Sequence, residues 1–168
     1  MKIDKDHMHY GSALIQVAED ENCVAVRPFR HRSSGRLTSF IINKQIGLHI
    51  RYREMPVTQL REYQFVFDRS NLAALGDLAT RTRGNTFLAL VCVKDREVCC
   101  VPYSLFRDLL TERRKEAGAE ERYTLIASVV PRKRSRFRVY MNAPGARGSC
   151  LGKTTVPRSD FPVRLFRS

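Results

Sequence analysis

At 168 residues, 43% of them apolar, the chain is long enough for one domain with a single core, and no boundary for a second is visible. No run approaches the roughly 20 apolar residues that span a bilayer, and the N-terminal MKIDKDHMHY has no apolar stretch behind its charges; a soluble, cytoplasmic protein without signal peptide or membrane association is expected. The formal net charge is +13, and its placement matters more than its size: residues 23–53 hold seven bases and no acid, and residues 124–168 hold ten bases against one acid.

In chain order, YGSALIQVAED (10–20) spaces Leu14, Ile15, Val17 and Ala18 for one helical face, with Ser12 as a cap. Cys23 to Phe29 is a short strand stopped by Pro28, and HRSSGR (31–36) a polar loop. Leu37–Asn43 and Ile46–Arg53 are two strands joined tightly at Lys44-Gln45. In the second, Ile46, Leu48, Ile50 and Tyr52 alternate with Gly47, His49, Arg51 and Arg53, so His49, Arg51 and Arg53 form a row on the polar face.

After a Pro-containing link, Tyr63–Phe67 is a strand, and Asp68 to Asn71 caps a helix that carries Leu72, Leu75, Leu78 and Ala79 on one side. Phe87–Val93, FLALVCV, has no polar face and predicts a strand buried on both sides, paired with Val98–Val101. A turn centred on Asp95 and Arg96 would set Cys92 opposite Cys99. Tyr103–Ala117 is a third helix, with Leu105, Phe106, Leu109 and Leu110 inward, Arg107, Arg113, Arg114 and Lys115 outward, and Gly118 as its stop. Tyr123–Val130 and Phe137–Met141 flank the basic turn PRKRSR. The remainder is a Gly-containing loop anchored by Phe161, Leu165 and Phe166. The pattern predicts a mixed α/β (α+β) fold, a central mixed sheet with helices packed on it.

Little in the chain points to catalysis. The five cysteines are odd in number and mostly in apolar surroundings, which suits reduced core thiols better than zinc ligands. His7 and His9 belong to an N-terminal tail, and His49 to a strand face. GARGSCLGKT (145–154) falls one residue short of the GxxxxGK[ST] phosphate loop. No cofactor is expected.

The order of a helix opening YGSAL, a hairpin ending GLHIRYR, a further strand and helix, and FLALVCV resembles the core of the restriction-endonuclease-like PD-(D/E)XK superfamily over about residues 10–93. The resemblance implies a divalent metal held by an Asp on one strand and by a Glu two residues before a Lys on the next. Carried over by position, His49 stands at the Glu, Arg51 at the Lys, and Ser39 or Asn43 near the Asp. Residues 23–53 supply no carboxylate, so the resemblance implies a degenerate site without metal-dependent cleavage. HYGSAL, FLALVCVKDREVCC and RSDFP also resemble stretches of bacterial proteins of similar length, a likeness that supplies no activity.

The two acid-poor blocks are therefore the candidate site. Arg27, Arg30, Arg32, Arg36, Lys44, His49, Arg51 and Arg53 form the first; Arg132, Lys133, Arg134, Arg136 and Arg138 form the second, where Arg136 and Arg138 share one strand face. With 23 arginines among the 30 bases, the composition suits bidentate phosphate contacts. Nucleic acid, DNA or RNA, is the expected partner. Two alternatives stand beside it: a nuclease drawing acids from Glu19, Glu54, Glu62 or Asp68, and an adaptor for an acidic protein partner.

Overall fold

Asp4, rather than Ser12, starts the first helix. Its carboxylate accepts from the His7 N–H at 2.9 Å, and its own N–H donates to His7 Nδ1 at 3.2 Å. This reciprocal cap begins α1 (Lys5–Glu19) well upstream of the expected boundary. Ala13 and Val17 face the core, whereas Ile15, expected inside, is 60% exposed. The computed structural model describes residues 1–32, 35–57, 59, 61–129, 136–142 and 151–167, so Arg132, Lys133, Arg134 and Cys150 lie outside the described residues.

Strands β1 (Val26–Phe29), β2 (Ser39–Ile42) and β3 (Ile46–Arg53) form an antiparallel meander. Pro28 does not stop β1 but sits within it opposite Phe40, which is tolerated because β1 is the sheet edge. Asn43 (φ 50°) and Lys44 (φ 65°) make the β2–β3 turn in the left-handed conformation that asparagine tolerates. The Asn43 side chain is consumed structurally: Oδ1 accepts from the Val24 N–H at 2.7 Å and Nδ2 donates to the Asn22 carbonyl at 2.7 Å.

The chain then leaves this sheet for β4 (Glu62–Asp68). It turns through α2 (Arg69–Arg81), capped by Asp68 and Asn71, and re-enters as β5 (Thr86–Cys92), parallel to β3. Strand β6 (Glu97–Pro102) completes a five-stranded mixed sheet in the order β1-β2-β3-β5-β6. The β5–β6 connection is longer than a two-residue turn: Cys92 pairs with Glu97, and Leu90, not Cys92, lies opposite Cys99.

Helix α3 (Tyr103–Ala117) ends at Gly118, whose φ of 74° suits glycine. Arg113, expected outward, is instead buried against Glu120. Strands β7 (Arg122–Val129), β8 (Arg136–Asn142) and β9 (Leu151–Pro157) join β4 in a second, antiparallel sheet ordered β4-β7-β8-β9. Strand β9 replaces the loop expected there, and a single 3₁₀ turn (Val163–Phe166) follows it.

Three layers result. Phe87, Ala89 and Val91 of β5 pack with Ala13 and Val17 of α1 and with Phe161 and Leu165 near the C-terminus. Leu88, Leu90 and Cys92 pack with Tyr63, Phe65, Leu125 and Phe137 of the second sheet and with Phe106 of α3. All seven residues of β5 are buried, six of them from the unbroken apolar run; its last residue, Val93, lies beyond the strand and is only partly buried. Each fully buried leucine or phenylalanine here contributes about 1.5–3 kcal/mol. The chain is thus a mixed α/β (α+β) protein, and no helix among its described residues is long and apolar enough to cross a membrane.

Candidate functional site: a basic cleft at the end of strand β3

Strand periodicity aims Gly47, His49, Arg51 and Arg53 to one side of β3, and that side is where α2 and the edge strand β4 dock. The four residues emerge from the interior one after another. Gly47 lies against α2, His49 is 1% exposed, Arg51 is half-buried and Arg53 is exposed.

His49 is therefore not part of a solvent-facing row. Its Nδ1 is 2.9 Å from Ser39 Oγ, its ring centroid lies 6.2 Å from that of Phe67, and its Nε2 is buried without a hydrogen-bond partner among the described residues. Burial, reinforced by the nearby Arg51 charge, pulls its pKa down to about 3, so the ring is neutral near pH 7. The correction follows from long-range packing: alternation assigned His49 to the right face, and the second sheet covers that face.

The two arginines reach the free edge of β4. Arg51 Nη2 donates to the Val66 carbonyl at 2.7 Å, with its guanidinium 5.3 Å from the Phe67 ring centroid. Arg53 Nε donates to the Gln64 carbonyl at 2.6 Å. Each guanidinium retains further donors beyond these bonds.

Around these arginines opens a cleft of about 390 Å³, walled also by Arg36 and Tyr10 and by Ser70 and Asn71 at the start of α2. Among the described residues, no carboxylate lines it. Asp6, outside its lining, accepts from the Tyr52 hydroxyl at 2.9 Å and pairs with Arg36 at 3.8 Å. The Arg36 side chain is 77% exposed. Three guanidinium groups thus converge on one cleft, only partly offset by Asp6 beside Arg36 and by the charge of Asp68 near Arg51, an arrangement that favours an anion.

No protein-family model matches the chain, and neither a curated protein nor a solved structure matches it.

Of the sequence-predicted residues, Arg36, Arg51 and Arg53 converge on the cleft. Arg27, Arg30, Arg32 and Lys44 are exposed along β1, the loop after it and the β2–β3 turn, and do not line the cleft. On β8, Arg136 and Arg138 are exposed and alternate with buried Phe137 and Val139, as expected, with Arg136 Nη1 donating to Thr155 Oγ1 at 3.2 Å. Gly152–Thr154 lie in strand β9, with Thr154 opposite Val139, which is not the strand-loop-helix setting of a phosphate loop.

Sequence reasoning missed Tyr10, Ser70 and Asn71, which reach the cleft only through tertiary packing. It also set His7 and His9 in a tail, whereas His7 caps α1 and the His9 ring packs 4.5 Å from Tyr52.

The donor set does not fit the divalent cation of the superfamily resemblance. Ser39, His49 and Arg51 offer a hydroxyl, a buried imidazole and a cation. The alternative acids are engaged elsewhere: Glu54 pairs with Lys5 at 2.7 Å, Asp68 caps α2 at 2.8 Å, and Glu62 accepts from the Tyr140 hydroxyl. Glu19 is exposed at the end of α1.

Proposed function

We propose that the protein binds nucleic acid through its phosphates, without cleaving it, on a degenerate nuclease-like core. The observation that carries this reading is the convergence of Arg36, Arg51 and Arg53 on one cleft that, among the described residues, no carboxylate lines. Arg136 and Arg138 add exposed charge on the second sheet. The chain order α1, the β2–β3 hairpin, β4, α2 and β5 is the element order on which the superfamily resemblance rests, with the difference that β4 belongs to the second sheet. At the carried-over positions Ser39 and His49 face each other in register, where carboxylates would have held the metal.

Binding through phosphate contacts releases counterions, so affinity falls steeply with salt. The test is fluorescence polarisation of labelled single-stranded and duplex oligonucleotides at increasing salt. The expected result is binding at low salt that weakens on raising salt, with a shallower slope in Arg51→Met and Arg53→Met. Unchanged polarisation at low salt for every DNA and RNA probe overturns the proposal, and magnesium-dependent shortening of the probe overturns the non-cleaving part.

A further inference from the structure

A second opening adjoins the basic cleft. It has a volume of about 360 Å³ and lies between α1 and the segment leading into β2, walled by Gly11, Leu14, Leu37 and Phe40 and also by Asp4, Asp6 and His7 at the start of α1. Tyr10 and Arg36 line both openings. The two are therefore neighbours across one aromatic ring and one exposed guanidinium, the first cationic and polar, the second chiefly apolar.

We infer that the paired openings form a site for a nucleoside phosphate, with the phosphate at Arg36, Arg51 and Arg53 and the base against Leu14, Leu37 and Phe40. The inference rests on the phosphate-binding reading of the cleft and deepens it. Charge selects one end of the ligand and apolar surface the other. Each volume is of the order found for small-ligand pockets, which run from about 300 to 1,000 Å³. The base gains by leaving water for an apolar surface, and the Tyr10 ring at the junction offers a π face of the kind on which bases stack, worth about 1–3 kcal/mol per base. Arg51 and Arg53 are braced by the carbonyls of Val66 and Gln64, so their geometry is set before a ligand arrives.

Gly11 provides a clean test, because a side chain added there meets nothing within 4 Å and its helix would be strengthened. Gly11→Leu should fill the apolar opening and leave untouched Arg51 and Arg53, which line only the basic cleft. Calorimetric titration with adenosine 5′-monophosphate, ribose 5-phosphate and inorganic phosphate reads the base contribution. Adenosine monophosphate should bind about tenfold or more tighter than ribose 5-phosphate, and Gly11→Leu should erase that preference while oligonucleotide binding through Arg51 and Arg53 persists. Equal affinity for the two ligands overturns the inference, and salt-dependent oligonucleotide binding then leaves the proposed function standing. Adenosine monophosphate binding without oligonucleotide binding supports the site and removes the nucleic-acid reading. Preference for a linear 5′-phosphorylated strand over a circular one assigns the ligand to strand ends; equal binding of the two, with the nucleotide preference intact, assigns it to free nucleotide.

Discussion

Arg51 closes the free edge of strand β4, donating to the Val66 carbonyl at 2.7 Å, so a side chain of one sheet satisfies the backbone of the other. An unpaired edge is both a desolvation cost and an aggregation template. Arg51→Met removes the donor from a partly buried carbonyl and should lower stability by about 1–3 kcal/mol. Arg53 makes the analogous bond to Gln64 from an exposed position, where water can replace it. Arg53→Met should therefore weaken oligonucleotide binding with a stability loss of about 1 kcal/mol or less. Urea titration of both variants separates the roles, and equal midpoints for the two would contradict the assignment of Arg51 as the bracing residue.

His49 makes stability depend on pH in a defined direction. In the unfolded chain it titrates near its ordinary value of 6.5, and in the fold near 3. The unfolded state thus binds the proton first. The contribution is fully present above pH 6.5 and is lost as pH falls from 6.5 towards 3. Its slope is about 1.4 kcal/mol per pH unit. The urea midpoint should drop on going from pH 7 to pH 5, and His49→Gln should flatten that drop. A wild-type midpoint constant over this range would show that the ring takes up its proton without unfolding.

Much of this fold is legible in short-range pattern, and the failures share one cause. The unbroken FLALVCV run identifies β5 because burial on both faces leaves a local mark. The alternation in β3 assigns the direction of His49, Arg51 and Arg53 for the same reason. Periodicity cannot say what lies opposite a face, and there His49 and Arg113 were misplaced: each is buried by an element distant in sequence or by a partner such as Glu120. Strand β9, with the sequence LGKTTVP, lacks clean alternation, and its pairing with β8 supplies the strand identity that its composition does not. The cleft was half legible. Its arginines stood out by charge, whereas Tyr10 and Asn71 carry no local signal of a shared wall.

Arg113 and Glu120 tie the end of α3 to the start of β7 through two bonds, at 3.0 and 2.7 Å. The arginine side chain is only 9% exposed, so its charge depends on that partner. Glu120→Gln should lower stability by about 1–3 kcal/mol by leaving a desolvated cation without its counter-charge. Replacing both members, Arg113→Leu with Glu120→Gln, should recover most of the loss, because an apolar substitute removes the stranded charge. A double variant no more stable than Glu120→Gln would show that the pair contributes packing rather than compensation of charge.

Gly47 and Gly11 should respond oppositely to the same change. A Cβ on Gly47 would stand 2.4 Å from Thr86 Oγ1 and 3.0 Å from Leu78 Cγ. The threonine cannot easily yield, since its hydroxyl is 2.6 Å from that of Thr82, which also donates to the Leu78 carbonyl at 3.0 Å. Gly47→Ala must displace Thr86 on β5 as well as Leu78 on α2 and should cost about 1–3 kcal/mol. Because β3 carries Arg51 and Arg53, a shift of the β3–β5 pairing should also weaken ligand binding at the cleft. Gly11→Ala, on a helix with open space beyond it, should stabilise by about 0.5–1 kcal/mol. Thermal unfolding and phosphate titration of the two alanine variants check this together. A Gly47→Ala protein as stable as wild type would mean that the contacts of β3 with Thr86 and Leu78 can relax, and the cleft would then be a poor candidate for a preorganised site.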